Sequence, residues 1–290
     1  MDTLTTSGST RSRWRQATLW CDDWQAAEQV AGTHLAPRLT GAEHDGILTS
    51  WWFTRKGPAW HLRVLPAPDQ DEHATAVLHR VMSDLRTRRL MLRWAATHYE
   101  PEIHAFGGAV AMDLAHDLFH ADSRHLLDHL HQARPDHQPH PDHRRELGLL
   151  LCGALMRAAG QDWYEQGDIW AQVAAHRTTG HPPAVRPGTR TAVRRLITAN
   201  PAPGEHSPTR PTWLAAFQRT GRDLADLAQQ GILSRGLRAV LAHHVLFAWN
   251  RAGIPGPQQA LLAATASDAV FHHEPVRTGP VPGCAMTPSV

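Results

Sequence analysis

The chain has 290 residues and a formal net charge of +2, with 42% hydrophobic and 19% charged residues. That is a globular composition, long enough to bury a sizeable core as one large or two small domains. So small a charge argues against nucleic acid as a partner. No run approaches the ~18 apolar residues of a membrane span, and the polar start lacks the apolar core of a signal peptide. The expected location is therefore the cytoplasm.

In chain order, 13–21 mixes aromatic and β-branched residues and predicts a first strand. Asp22 or Asp23 can cap a following helix through about Leu35, interrupted near Pro37. Segments 47–55 and 60–64, split by Lys-Gly-Pro, predict a hairpin. Apolar residues at Ala76, Val77, Val81 and Leu85 give 73–89 a helical period. Segment 90–98 is strand-like again, so the first hundred residues read as βαββαβ with antiparallel neighbours.

After Gly107 and Gly108 the character turns helical, over 109–120, 123–132, 144–160 and 162–176. Pro, His and Gly breaks follow at 135–142, 180–188 and 200–211. A long helix over 234–251 is expected to be capped by Ser234 and stopped by Gly253. A last helix covers 257–269, and the tail from Glu274 reads as loose. The expectation is one α+β domain over 1–290: a sheet-rich part (13–106), a helical part (107–273) and a tail (274–290).

Cys21, Cys152 and Cys284 are odd in number, far apart and without C-x-x-C spacing, so they suggest neither a disulfide framework nor zinc. The 22 histidines and 11 tryptophans look largely like the bias of a GC-rich genome. The His- and Asp-bearing loop from His131 to His143 holds no fixed ligand geometry. His116 and His120, four apart on a helix, read as a surface face rather than a zinc pair. No metal and no cofactor are expected.

Some residues do suggest chemistry. On a strand, His61 and Arg63 point to one face and Leu62 to the other. A His and an Arg so placed can move a proton and hold an oxygen; the alternative is a solvated sheet face. In Tyr99-Glu100-Pro101-Glu102, Pro101 turns the chain and exposes carboxylates. Glu102 can orient a base or accept a proton and Tyr99 can donate one, or the segment simply locks the sheet, Glu102 pairing with Arg63 or Arg93. His243 and His244 lie about 100° apart on a helix, so only one faces a given site, and Asn250 follows two turns later. Trp51 and Trp52 fall on opposite faces, so one set of tryptophans is core and the other can form a flat platform.

Three blocks carry a resemblance. Residues 50–65 read Ser-Trp-Trp-Phe-Thr-Arg-Lys-Gly-Pro-Ala-Trp-His-Leu-Arg-Val-Leu. Residues 99–108 read Tyr-Glu-Pro-Glu-Ile-His-Ala-Phe-Gly-Gly, with Phe-His-Ala-Asp-Ser at 119–123. Residues 241–253 end in Asn-Arg-Ala-Gly. In order, they resemble the signatures of thiopeptide-type bacteriocin biosynthesis proteins, relatives of the lantibiotic dehydratase C-terminal elimination domain.

The resemblance implies an elimination-domain-like α+β fold and one of two activities on ribosomally made peptides. One eliminates glutamate from glutamylated Ser or Thr. The other joins two dehydroalanines in a formal aza-[4+2] cycloaddition and expels water and the leader peptide, leaving a pyridine. It also implies a modified precursor peptide with its leader as substrate, bound along a strand edge or groove, and a glutamylating dehydratase as a further partner. The catalytic candidates are His61, Arg63, Tyr99, Glu102, His243 and His244. The substrate-binding candidates are Arg55, Trp52, Trp60 and Asn250.

Departures from the pattern favour the cyclase. Leu65 and Ala105 stand where the elimination branch has arginines, Phe106 where the family has tyrosine, and Ala248 where elimination members have histidine. Elimination needs those anion holders; cycloaddition mainly needs positioning. The alternatives are elimination itself and a non-catalytic protein that binds leader or partner.

Overall fold

The computed structural model describes residues 13–57, 59–132, 143–177, 188–199 and 211–271. Strand β1 (Arg15–Trp20) is followed by α1 (Trp24–Val30), a π-helical turn (Ala31–Leu35) and α2 (Ala36–His44). Asp23 caps α1, its carboxylate accepting from Ala26 N at 2.7 Å. Pro37 does not interrupt the helix as expected. The chain widens to a π turn just before it, which relieves the missing N–H and the clash of the ring with the preceding turn.

The hairpin β2 (Leu48–Lys56) and β3 (Ala59–Pro66), helix α3 (Asp71–Thr87) and β4 (Arg93–Thr97) complete the predicted βαββαβ order. The strands form one antiparallel sheet in the order β2-β3-β1-β4. One face places Ala17, Leu19, Trp51, Phe53, Trp60, Leu62 and Val64 in the main core with Leu39, Leu78 and Met82. Phe53 and Trp60 stack at 4.6 Å. The other face carries Gln16, Thr18, Trp52, Thr54, His61 and Arg63, as the register pairs them.

The rest of the described chain is helical: α4 (Ala109–Gln132), α5 (Arg144–Ala158), α6 (Trp163–Ala175), α7 (Thr189–Thr198), α8 (Pro211–Gln229), α9 (Leu237–Ala252) and α10 (Gly256–Phe271). The two helices expected over 109–120 and 123–132 are one, α4, because Asp122 and Ser123 are buried in it and bonded rather than exposed at a break. Helices α7 and α8 are additions to the reading. Ser234 does not cap α9: Gly236 holds the cap position, and the Ser234 N–H donates to the Gly107 carbonyl. Gly253, at φ +71°, ends α9 as expected. No helix among the described residues is long and apolar enough to cross a membrane.

Helix α4 lies along the outer edge of β2. The Phe53 N–H donates to Ser123 Oγ at 3.3 Å, and His120 Nδ1 lies 2.8 Å from the Trp51 carbonyl oxygen. His120 Nε2 also contacts Glu43 at 3.2 Å. Arg251 of α9 reaches Asp122, Nε to Oδ2 at 2.6 Å, and Asp122 Oδ1 accepts from Trp213 Nε1 of α8 at 2.8 Å. The Phe-His-x-Asp-Ser and Asn-Arg-x-Gly blocks therefore bind sheet and helices to one another. Gly107 and Gly108 adopt φ of +87° and +116°. A Cβ at Gly107 would lie 2.9 Å from Val240 Cγ2, so glycine is what allows this turn to seat against α9.

Candidate active site

The polar face of the sheet is built by register. Gln16 stands beside Arg63 and Thr18 beside His61 on β1–β3, while Trp52 pairs with Arg63 across β2–β3. Arg63 is buried, its Cζ 4.2 Å from the Trp52 ring centroid and 4.4 Å from that of Tyr99. Desolvated cation–π contacts of this kind contribute roughly 2 kcal/mol each. Its Nε and Nη1 are buried without a hydrogen-bond partner. Burial lowers its pKa to about 10, opposed by Tyr99 and Glu102 and reinforced by Arg251. A buried guanidinium with unused donors is a costly feature unless a ligand oxygen satisfies it.

Tyr99 is buried by the turn after β4, and its hydroxyl lies 2.9 Å from His116 Nε2 on α4. Burial, then Arg63, lowers His116 to about 4, so its imidazole is neutral. Burial also raises the Tyr99 pKa, against the pull of Arg63. Neutral His116 and the Tyr99 hydroxyl thus share one hydrogen bond between two uncharged groups. Trp14, Trp52 and Phe119 pack around this pair, with Trp14 4.8 Å from the His116 ring.

His61 is partly buried, its Nδ1 3.0 Å from Thr18 Oγ1. A chain of bonds continues to Thr97 Oγ1 at 2.9 Å and Gln16 Nε2 at 2.8 Å. Gln16 Nε2 also donates to the His98 carbonyl at 3.1 Å, which anchors the far end of the chain. Thr18 and Thr97 can each give or take a proton, so the chain accommodates either tautomer of neutral His61. Burial, then Arg63 and Lys56, keeps His61 below its ordinary pKa.

Four of the ten sequence candidates thus meet on this face: Trp52, His61, Arg63 and Tyr99. Glu102 is exposed at the rim, acting on Arg63 only through its field, and pairs with neither Arg63 nor Arg93. His244 is fully buried behind Phe106, 5.0 Å between ring centroids, with neither nitrogen bonded; burial lowers it to about 3. His243 lies on the other flank, its Nδ1 donating to the Ala239 carbonyl at 3.1 Å.

The other three lie elsewhere. Trp60 is core on the opposite face, between Phe53 and the Arg55 guanidinium. Arg55 is buried and ion-paired with Glu28. Asn250 accepts from Arg177 and Gln259 near the α9–α10 turn. Residues missed in the sequence are His116, Thr18, Thr97 and Gln16. The legible signal for His116 was its place three residues before Phe119, on the same face of α4. It is not the surface residue expected. His137 and His140, in the loop read as holding no fixed ligand geometry, lie outside the described residues.

The profile for the C-terminal part of lantibiotic biosynthesis dehydratases matches residues 14–270. The chain belongs to that family. No curated protein matches it in sequence. Among solved structures it resembles the tRNA-dependent lantibiotic dehydratase MibB from Microbispora sp. 107891, with TM-score 0.63 and 16% identity over 92% of this chain. The match spans 29% of that protein. It also resembles TbtD, a pyridine synthase from thiomuracin biosynthesis, with TM-score 0.62 and 14% identity over 89% of this chain and 97% of that one. A third likeness is TsrL, with TM-score 0.58 and 14% identity over 90% of this chain and 99% of that one. At these identities the likenesses establish the elimination-domain-like α+β fold.

Proposed function

We propose that this chain is a pyridine synthase acting on a dehydroalanine-bearing precursor peptide. The observation that carries the reading is Arg63: a buried guanidinium with unused donors, held between aromatic rings, whereas the neighbouring Arg251 is already committed to Asp122. The places where the resemblance puts further anion holders are apolar. Phe106 packs on Phe119 and Phe247, and Ala105 and Ala248 carry no charge. Elimination generates an enolate and a departing carboxylate together and needs several cationic donors. Cycloaddition needs one polarised amide and two alkenes held at attack distance.

The step balances without an external reactant. The amide between the first dehydroalanine and its preceding residue tautomerises to an iminol, giving the 2-azadiene CH2=C–N=C(OH). Its CH2 bonds the CH2 of the second dehydroalanine, and its C(OH) bonds that residue's α-carbon. Loss of water from C(OH), and of the leader as a carboxamide from the α-carbon, leaves the aromatic pyridine. Arg63 donates to the amide oxygen and so favours the iminol. His61 and the Tyr99 hydroxyl exchange protons as the iminol forms and water and leader depart, and the aromatic wall orients the heterocycles.

Mass spectrometry after incubation with two thiazole-bearing peptides tests this. One peptide carries two dehydroalanines, the other a glutamylated serine. A macrocycle plus free leader from the first establishes the cyclase; loss of glutamate from the second establishes elimination instead. Binding of both without turnover overturns either enzyme reading. Within the cyclase reading, His61→Ala lowers turnover more than leader binding.

A further inference from the structure

On the opposite side of β2 from Arg63, a cavity of about 630 Å³ opens between α1, the start of α5, the end of α6 and the α9–α10 turn. Four arginines, Arg55, Arg144, Arg145 and Arg177, and a single carboxylate, Glu28, line it. Glu28 already illustrates how the cavity holds a carboxylate. Arg144 grips both its oxygens, at 2.6 and 3.0 Å, and Arg55 bonds one of them. Although burial pushes the Glu28 carboxyl up, Arg144 and Arg55 hold it below its ordinary pKa.

Arg177 is held differently. Its Nε donates to Gln259 Oε1 at 2.8 Å and its Nη2 to Asn250 Oδ1 at 2.9 Å. Gln259 in turn donates to Asn250 Oδ1 and to the Ile254 carbonyl. The guanidinium is thus fixed by neutral amides, with no ion pair among the described residues. A fixed, partly desolvated cation of this kind is a preorganised anion contact. The amino end of the 16-residue α10 opens on the same cavity at Gly256 and Gln258, adding the positive end of a helix dipole. Trp24, 45% exposed, stands at its wall.

We propose that this cavity binds an acidic peptide segment, one side-chain carboxylate meeting Arg177 and the amino end of α10, with a neighbouring apolar side chain on Trp24. Guanidinium forks rather than lysines line it, which suits a planar carboxylate. Its volume is that of a small-ligand pocket, and its cationic lining is too short to track many phosphates along a backbone. The inference does not rest on the reaction proposed above, since the cavity faces away from Arg63 and binding is read without turnover.

Fluorescence anisotropy with labelled, end-capped tetraglutamate on the full chain tests it, with tetraglutamine and a transfer RNA as comparisons. Tetraglutamate should bind, more weakly at high salt, and tetraglutamine should not. Arg177→Gln should weaken binding about tenfold or more, the loss of a charge-assisted contact. Arg145→Gln, an exposed change that leaves the fold alone, should weaken it about threefold. Equal binding of tetraglutamate to wild type and both variants would overturn the site. So would binding of tetraglutamine as tightly as tetraglutamate. Transfer RNA binding more tightly than tetraglutamate, and weakened by the same substitutions, would overturn the peptide as its occupant.

Discussion

Asp122→Asn removes the charged partner of Arg251 while leaving volume and packing almost unchanged. Arg251 is fully buried, its Cζ 4.5 Å from the Phe119 ring centroid; among the described residues its Nη1 and Nη2 have no hydrogen-bond partner and Asp122 is the one carboxylate paired with it. Breaking a buried pair by removing one member costs about 3–5 kcal/mol, since the surviving charge stays desolvated. At roughly 2–4 °C per kcal/mol for a chain of this order of size, Tm should fall by about 6–20 °C. Thermal unfolding followed by circular dichroism at 222 nm reads this directly. The double change Asp122→Leu with Arg251→Met should recover most of the loss, because well-packed apolar replacements of a buried pair are often neutral. The reasoning fails if Asp122→Asn melts within about 1 °C of wild type. It fails equally if that variant loses turnover at unchanged stability, for then the pair serves chemistry rather than architecture.

Arg63→Gln should behave in the opposite way, with turnover down at least about 100-fold while stability changes little, since relief of an unpaired buried charge offsets the lost contacts with Trp52 and Tyr99; paired activity and urea-denaturation measurements separate the two. Tyr99→Phe keeps the ring beside Arg63 but leaves His116 Nε2 without its partner, so stability should drop by about 1–3 kcal/mol along with activity, read by the same denaturation. Acid should destabilise the protein. His116 and His244 titrate near about 4 and about 3 when folded, below an unfolded value near 6.5, so the unfolded state binds more protons in between. Their stabilisation is complete above that unfolded value and is lost as pH falls toward 4, by up to about 2.7 kcal/mol per unit for the two together. Urea midpoints at pH 7 and 5 check the slope, and equal midpoints would refute it.

The sheet was legible because aromatic and β-branched residues alternate in its strands, and the two faces followed from parity: Trp51 to the core, Trp52 to the site. Helix α8 was equally legible but overlooked. Trp213, Leu214, Phe217, Gly221 and Leu224 keep a clean helical period, yet the Pro-rich stretch over 200–211 before it reads as a break. Gly221 is there because a Cβ would collide with the Leu155 carbonyl where α5 and α8 cross. The site was half legible. His61, Arg63 and Tyr99 stand out as chemistry-bearing residues in strands and turns, whereas the i, i+3 spacing of His116 and Phe119 shows only a shared face, and which way that face turns depends on how α4 rotates over the sheet. Arg55 and Asn250 misled for the same reason: their side chains lie near one another, but on the far side of β2.

The clasp of α4 on β2 makes the sheet one-sided. His120 and Ser123 occupy backbone positions at Trp51 and Phe53 that an incoming strand would need, so β2 is a closed border. The other border, β4, is five residues long, and Arg93, Ala96 and Thr97 on it are exposed. Among the described residues, an extended chain seeking main-chain hydrogen bonds with this sheet therefore has one border to approach, β4. It would lie beside Ala95 and Thr97, on the same side as the bond chain that ends at His61. Any peptide that lengthens the sheet thus arrives from the flank opposite α4, and so does any pairing between two copies of the molecule by this route.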